Sequence, residues 1–275
     1  MKVSIFDKDI LKQFSNICAT ITAILSAVLI FLDIPNKWRL TSGVVYVAFL
    51  CVIYIFLWRR ANILRQVNIK IGVTTLIVKS GDIFEEDGLK AIAFNEYFDT
   101  AVDDKIIAKK SLNGQFILNH IDDVAKLNSD IESDDDLKNS IVEKEVKRKQ
   151  GKMTQYKLGS SILINDEYIL TAFSRFNKNN QAELTIQEYV NFLLTFWNEI
   201  NRLYAQRSVT VPVFGSGITR FKNGFEDIDI NELLRIMIWT FKVSKIKFAY
   251  PAKLTIIVHN DLLNQVNLYK LKENE

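Results

Sequence analysis

Two long apolar runs without a charged residue lie near the start of this sequence and constrain its fold most. The first contains the twenty residues from Gln13 to Leu32, and the second the nineteen from Leu40 to Trp58. At 1.5 Å per residue, each run forms a helix about 30 Å long, which matches the hydrocarbon core of a bilayer. We therefore expect a transmembrane hairpin over residues 1–65, with spans at about residues 13–34 and 39–58.

Basic residues flank these two runs unequally. Three lysines precede the first run and three arginines follow the second, whereas the connector holds only Lys37 and Arg39. Because basic flanks favour the cytosolic side, this distribution predicts a multi-pass inner-membrane protein with both termini in the cytoplasm. A cleaved signal peptide is the alternative for the first run, but the run is longer than a signal core and lacks a small-residue cleavage site.

The first run also carries small residues at helical spacing. Ala19, Ala23 and Ala27 recur every four residues, which lets helices approach closely in lipid. This face packs either within the hairpin or between the protomers of a homo-oligomer. Neither run contains an ionisable residue, so a constitutive ion pathway is not expected.

Charge and cysteine content exclude several classes of protein. Residues 1–65 hold eight Lys/Arg and three Asp, so they carry more than the whole net charge of +3, and the remainder is slightly acidic. This remainder lacks the basic surface of a general nucleic-acid binder. Cys18 and Cys51 both lie in the apolar runs, which excludes a disulfide framework. With two histidines and no Cys/His cluster, no metal site is expected.

Residues 66–275 show strand and helix patterns in alternation. Strands are predicted at residues 67–71, 74–78, 89–95, 156–164, 168–172, 208–214 and 254–258, and helices at residues 103–112, after the acidic run 130–136 through 148, 185–206 and 229–243. Thr185 and Glu188 have capping-box spacing. The alternation predicts an α/β fold, a three-layer α/β/α domain with a mixed sheet.

Three polar or glycine-rich stretches follow predicted strands. They are Gly81-Asp82-Ile83, the run from Asn95 to Thr100, and the run from Gly215 to Phe221. Ligands of α/β sheets bind at the carboxyl ends of strands, and glycines there let backbone N–H groups approach phosphate oxygens. Taken alone, a Gly-x-Gly motif is more often a simple turn, and this one lacks the other residues of a P-loop.

In this order, the three stretches resemble the ligand loops of the macro domain, a fold that binds ADP-ribose. The resemblance implies that Asp82, beside Ile83, receives the adenine amino group. It implies that the second loop wraps the diphosphate and distal ribose, with Arg220 as a counter-charge; this loop comprises Gly215, Ser216, Gly217, Ile218, Thr219, Arg220 and Phe221. The rest of the pocket would be lined by Asn95, Tyr97, Phe98, Asp99 and Thr100.

The stretch after Asn95 departs from the Asn-Ala-Ala-Asn loop of hydrolytic macro domains. We therefore expect no catalytic residue and no cofactor, only an ADP-ribose-derived ligand. Two alternatives stay open: a tethered ADP-ribosyl hydrolase whose base would be Asp99, Glu96 or a bound water, and an ADP-ribose-binding adaptor.

The two-span hairpin joined to this domain resembles the membrane effectors of bacterial Thoeris antiphage defence. That resemblance implies a signal, such as histidine-ADP-ribose, made by a TIR-domain enzyme that consumes NAD. It also implies that the bound signal triggers oligomerisation and disruption of the bilayer.

Overall fold

The structure is a computed structural model that describes residues 3–272. It divides into two compact units, one of residues 3–67 with 264–272 and one of residues 68–263. The helices are α1 Lys8–Leu29, α2 Asn36–Ile63, α3 Leu112–His120, α4 Val124–Ser133, α5 Asp135–Asn139, α6 Ile186–Leu203, α7 Ile230–Ser244 and α8 Leu268–Lys272. The strands are β1 Gln66–Ile71, β2 Thr74–Ser80, β3 Leu89–Asn95, β4 Ile141–Glu143, β5 Gln155–Tyr156, β6 Ser161–Ile164, β7 Tyr168–Phe176, β8 Ala182–Thr185, β9 Val209–Pro212, β10 Arg220–Lys222 and β11 Leu254–Val258.

The first unit is a pair of long helices. Both α1 and α2 are long and apolar enough to cross a membrane. Helix α1 ends at Leu29 and a turn precedes Pro35, so the last five residues of the predicted first span lie beyond the helix; the span itself stays a prediction. Near the base of the pair, Val3, Ile10, Leu57 and Ala61 form a buried apolar cluster.

The C-terminal helix α8 belongs to this same unit. The Lys270 ammonium lies 3.5 Å from the Asp7 carboxylate, and Tyr269 packs against the apolar cluster at the base of the helix pair. Asp7 also caps α1 by accepting the Asp9 N–H. The C-terminal segment is therefore attached to the start of α1 by both charge and apolar packing.

The second unit is built on a mixed sheet of nine strands. The strand order is β1-β2-β11-β9-β3-β7-β8-β10, and β6 pairs with β7. Five central strands, β2, β11, β9, β3 and β7, run parallel to one another. The predicted hairpin around residues 165–167 is confirmed as the antiparallel pair of β6 and β7.

Helices cover both faces of this sheet. On one face, Ile92 and Phe94 of β3 pack with Phe116 of α3 and Leu127 of α4. On the other, Phe173 of β7 contacts aromatic rings of α6 at centroid distances from 4.9 Å. Because side chains alternate across a strand, one sheet supplies both layers of core. The predicted three-layer α/β/α fold with a mixed sheet is confirmed.

Capping residues determine where the helices α6 and α7 begin. Thr185 caps α6 and Asp229 caps α7, each through a capping box with the glutamate three residues later. The helices predicted at residues 185–206 and 229–243 are therefore confirmed, with α6 ending three residues early at Leu203.

Two predicted helices are wrong. Residues 103–111 form bends and turns before α3 begins at Leu112, because the carboxylates of Asp103 and Asp104 accept nearby backbone N–H groups and so compete with helical bonding. The helix predicted to reach Arg148 ends at Asn139, and the short strands β4 and β5 follow. Glu145 and Gly151 between these strands have positive φ, which breaks a helix.

Candidate functional site

The carboxyl ends of the five parallel strands lie along one edge of the sheet, which we call the rim. Val258 of β11 is in register with Ser80 of β2, and Ile257 is in register with Pro212 of β9. Asn95 at the end of β3 pairs with Ser174 near the end of β7. The rim is the place where α/β sheets bind ligands.

The three predicted loops all begin at this rim. Asp82 stands two residues beyond β2, the loop 95–100 continues β3, and the loop 215–219 follows β9. Strands β2 and β9 both flank β11, which places their ends about 10 Å apart at the usual strand spacing. The structure therefore brings these loops together as the sequence predicted.

Asp82 has a fixed orientation at the rim. Its carboxylate accepts the Phe84 N–H at 2.9 Å and caps the short 3-10 turn Ile83–Glu85. The Gly81 N–H donates to Val258 O at 3.1 Å, which ties the turn to the end of β11. Ile83 is buried beneath the turn. The half-buried Asp82 is positioned by backbone contacts rather than by a cation.

The loop 215–219 is held at its two ends and exposed in its middle. The Tyr189 hydroxyl donates to Phe214 O at 2.9 Å before the loop, and Phe221 is buried after it. The Ser216 hydroxyl donates to Val213 O at 2.7 Å. Ile218, by contrast, is 70% exposed. Such a loop presents backbone groups to a ligand without needing to unfold.

Substitution of the two glycines of this loop is expected to affect stability differently. Gly215 has a φ of +85°, and a Cβ there would lie 2.9 Å from the Phe221 ring, whereas a Cβ at Gly217 meets nothing within 4 Å. We expect Gly215→Ala to lower the free energy of unfolding by about 1–3 kcal/mol. Gly217→Ala should change it by less than about 0.5 kcal/mol. Urea unfolding of the two variants measures both; equal effects would contradict this description of the loop.

The Asn95 side chain is used to shape its own loop. Its amide oxygen accepts the N–H groups of Tyr97 and Asp99 at 3.0 and 3.3 Å, and its NH₂ donates to the Asp99 carboxylate at 3.0 Å. Asn95 and Asp99 are 3% and 1% exposed. Both side chains are therefore bonded within their own loop, and the prediction that they line the ligand pocket stays a prediction.

Phe98 and Thr100 are likewise internal. Phe98 is fully buried, with its ring 5.3 Å from that of Tyr156, and its predicted contact with ligand stays a prediction. The Thr100 hydroxyl donates to the Asn128 side chain at 2.9 Å, which connects the loop to α4. These residues support the rim from below.

A basic segment between β4 and β5 contacts the loop 95–100. The Arg148 guanidinium lies 2.9 Å from the Asp99 carboxylate and 3.7 Å from the centroid of the Tyr97 ring. It also donates to the Asn180 side chain at 3.1 Å, in the turn between β7 and β8. Burial raises the pKa of the Tyr97 phenol, Glu96 adds to the rise, and the Arg148 charge opposes it.

Glu96 forms a second ion-pair network beside the first. Its buried carboxylate accepts from Arg175 and Gln155 at 2.9 and 2.6 Å, and from the Phe176 N–H at 3.1 Å. Arg175 also pairs with Glu188 in the first turn of α6. Both carboxylates that the sequence suggested as a hydrolytic base, Glu96 and Asp99, are thus paired with arginine.

Lys152 carries a buried charge that the surrounding residues leave unpaired. Among residues 3–272, no group accepts a hydrogen bond from its buried ammonium. Burial lowers the pKa of Lys152, against the attraction of Glu132 and Asp99. Its backbone N–H, in contrast, donates to Asp99 at 2.6 Å.

We expect Lys152→Met to stabilise the protein by about 1–2 kcal/mol at neutral pH, because an unsatisfied buried ammonium is removed. A lowered pKa penalises the folded state wherever the lysine is charged. The difference from wild type should therefore shrink as the pH rises toward 10.5, the ordinary lysine pKa. Chemical unfolding at several pH values measures this; a destabilised variant would show that the ammonium has a partner in solution.

Arg220 provides positive charge at the rim. Strand register places Arg220 beside Glu183, which in turn pairs with Arg175 near the end of β7. Arg220 is exposed, and within the described residues no carboxylate lies at ion-pair distance from it. An open hollow of about 570 Å³ begins here, lined by Thr219, Arg220, Phe221, Lys222, Asn223 and Glu226.

Sequence reasoning missed Arg148, Lys152, Arg175 and His259. His259 follows β11 directly and is exposed at the rim. Its position could have been predicted, because the residue after a buried strand lies at the edge of the sheet. Nothing local signals Arg148 and Lys152, because their partner Asp99 lies about fifty positions earlier. In the part of the chain described, no group of three or more His, Cys, Asp or Glu is placed to hold a metal ion.

The chain is similar in sequence to known proteins over most of its length. Residues 76–259 match the family model described as Thoeris protein ThsA, Macro domain. The chain is 41% identical over 279 residues to Thoeris protein ThsA of Bacillus amyloliquefaciens (strain Y2), across 100% of this chain and 92% of that relative.

Solved structures of a macrodomain are also similar. The Oceanobacillus iheyensis macrodomain with ADP aligns at 13% identity and a TM-score of 0.46, over 76% of this chain and 98% of that chain. A variant of the same macrodomain in which a glycine is replaced by valine, with ADPR, aligns at 14% identity and a TM-score of 0.48. The alignment covers 76% of this chain and 97% of that chain.

Proposed function

The chain belongs to the macro-domain family of Thoeris ThsA proteins, and from this premise we propose that it is a membrane-bound antiphage effector that binds an ADP-ribose-derived signal. The observation that carries the proposal is the meeting of three loops at one rim. Two of them, the turn at Asp82 and the loop 215–219, stand on strands that flank β11. That separation suits a ligand with an adenine at one end and a diphosphate near its middle.

In this proposal each loop has its own task. The Asp82 carboxylate accepts a hydrogen bond from the adenine amino group. The Phe84 N–H occupies only one of the acceptor sites of this carboxylate, so others remain for a ligand. The exposed backbone N–H groups of residues 215–219 hold the diphosphate, and Arg220 supplies a counter-charge. The loop 95–100 contributes a fixed wall, because its polar side chains are bonded internally.

The membrane part of the proposal rests on α1 and α2. Both are candidate spans, and the basic flanks favour an orientation with the two termini in the cytoplasm. We propose that the signal, a conjugate such as histidine-ADP-ribose, is made by a TIR-domain enzyme from NAD. Its binding must favour an assembled state over the resting state, because a ligand with equal affinity for both shifts nothing. The assembled helices would then disrupt the inner membrane.

Calorimetry on the full chain in detergent micelles tests nucleotide binding. We expect ADP-ribose to bind, and an analogue with hypoxanthine in place of adenine to bind at least about 10-fold more weakly, because the carbonyl oxygen of hypoxanthine repels Asp82. The matched control is Asp82→Asn. Its amide can donate a hydrogen bond to the hypoxanthine oxygen, so the difference in affinity between the two nucleotides should become smaller. Equal affinity of wild type for both nucleotides would remove Asp82 from base recognition, and no binding of either would overturn the proposed function.

A further inference from the structure

The stretch from Leu233 to Asn260 differs in charge from the rest of residues 66–275. It contains five basic residues and no Asp or Glu, whereas residues 66–275 as a whole are slightly acidic. The basic residues are Arg235, Lys242, Lys245, Lys247 and Lys253. The stretch comprises most of α7, the connection after it, and β11. Positive charge is therefore concentrated in one part of an otherwise acidic region.

None of these five cations is neutralised by the protein itself. All five residues are exposed, and among residues 3–272 their side chains form no ion pair and no hydrogen bond. Other lysines of the same unit are paired, as Lys90 is with Glu167 and Lys222 is with Glu183. The charge of the stretch is therefore available to a partner outside the chain.

The solvent side of α7 adds large apolar side chains to this charge. At about 100° per residue, one side of the helix, which we call the outer face, collects Arg235, Trp239, Lys242 and Val243. Trp239 and Val243 are 55% and 48% exposed. Glu232 lies at the start of this face, and its carboxylate accepts the Asp229 N–H in the capping box. The outer face thus combines exposed apolar side chains with unpaired positive charge.

This combination is typical of surfaces that lie on a membrane. Indole rings favour the layer of lipid headgroups, and each Lys or Arg near an anionic leaflet strengthens binding by about 5-fold. A tethered domain needs only weak affinity, because the tether keeps its effective concentration at the surface high. Here β1 begins at Gln66, three residues after the candidate span α2 ends. Lipid is therefore the acidic partner that the anchored chain meets at high local concentration.

We propose that the outer face of α7, together with Lys245 and Lys247 after it, docks on anionic lipid headgroups of the membrane that anchors the chain. This docking rests on the membrane anchoring in the proposed function and adds a second contact, made by the α/β domain itself. Trp239 and Val243 enter the headgroup layer, and the basic side chains pair with lipid phosphates.

Docking through this face leaves the rim accessible. Helix α7 packs on one face of the sheet, where its Phe241 ring lies 5.2 Å from the Trp197 ring of α6. The rim is an edge of the sheet, so the two surfaces are different sides of the domain. Lipid on the outer face and a nucleotide at the rim therefore do not compete.

Electron paramagnetic resonance on the full chain in lipid nanodiscs tests the docking. In a background of Cys18→Ala and Cys51→Ala, a nitroxide on Val243→Cys reports the outer face. Leu118→Cys is the matched control, because Leu118 is similarly exposed, at 54%, on α3 of the other face of the sheet. With about 30% phosphatidylglycerol in phosphatidylcholine, we expect a water-soluble nickel complex to reach the label at position 243 about 5-fold less than the label at 118.

Phosphatidylcholine alone is the lipid control. There both labels should be equally accessible to the nickel complex. A label at position 243 that is accessible in both lipids would overturn the inference. Equal protection in both lipids would overturn it as well, in favour of a contact with protein, such as a second copy.

Charge neutralisation uses two sets of three substitutions. The test set removes cations of the docking surface: Arg235→Gln, Lys242→Gln and Lys245→Gln. The control set removes exposed lysines elsewhere that likewise have no ion pair among the described residues: Lys105→Gln, Lys110→Gln and Lys178→Gln. The test set should shift the ratio of docked to undocked domain by about 100-fold, and so expose the label at position 243. Equal exposure with the control set would overturn the role of this surface.

Salt and two further measurements separate the possible failures. Raising the salt concentration to about 0.5 M should expose the label at position 243 without any substitution in the docking surface, because ions screen the headgroup charge. Resistance to alkaline carbonate extraction reports whether α1 and α2 are inserted. ADP-ribose calorimetry on the test set, whose affinity should equal that of wild type, reports the nucleotide site separately. The docking can therefore fail while the proposed function stands, and the reverse.

Discussion

Replacing Gly217 with glutamate is expected to weaken ADP-ribose binding by about 100-fold. Position 217 is exposed, and a Cβ there meets no heavy atom within 4 Å, so the fold accepts a side chain. An added carboxylate about 6 Å from a phosphate charge costs about 3 kcal/mol at an effective dielectric constant near 20, which corresponds to that loss. Calorimetry on the full chain measures the change.

Gly217→Gln is the matched control for this prediction. Glutamine has the size of glutamate without its charge, so the glutamine variant should bind within about 5-fold of wild type. Equal weakening by both substitutions would show that bulk, rather than the phosphate charge, is decisive. Undiminished binding by both would remove the loop 215–219 from the nucleotide site.

The largest loss of stability is expected from Arg148→Met. Asp99 is 1% exposed and Arg148 is 8% exposed in their ion pair, so removing the cation leaves an uncompensated buried charge. Breaking such a pair costs about 3–5 kcal/mol. The cation–π contact with Tyr97 is lost as well. Urea unfolding of the full chain, followed by tryptophan fluorescence, gives the free energy of unfolding.

Arg220→Met makes the same chemical change at an exposed site. Since Arg220 has no ion pair among the described residues, this variant should unfold within about 0.5 kcal/mol of wild type. If Arg148→Met were equally neutral, the segment between β4 and β5 would not be what holds the loop 95–100.

Patterns that are local in the sequence predicted most of the fold. The buried strand Leu89–Asn95 and the capped helix that begins after Thr185 are specified by residues a few positions apart. The same holds for the placement of the loops, because parallel strands bring their carboxyl ends to one edge. The edge of the sheet at which the proposed site lies could therefore be predicted from the sequence.

The roles of individual side chains were not accessible in this way. Asn95 and Asp99 look like ligand-binding residues in sequence, yet their bonds go to one another and to Arg148. The segment around Arg148 has the mixed charges of a solvated helix, and only a partner far away in the chain draws it onto the rim. Spacing reveals which loops meet, whereas long-range ion pairs decide which polar groups remain available to a ligand.

Hydrogen–deuterium exchange on the full chain in lipid nanodiscs, with and without ADP-ribose, tests most directly whether three loops form one nucleotide site. Peptides covering residues 81–86, 95–100 and 215–220 should all lose exchange, with the same half-saturating ADP-ribose concentration. Protection of only one of these segments, or protection confined to the opposite edge of the sheet, would contradict the site described.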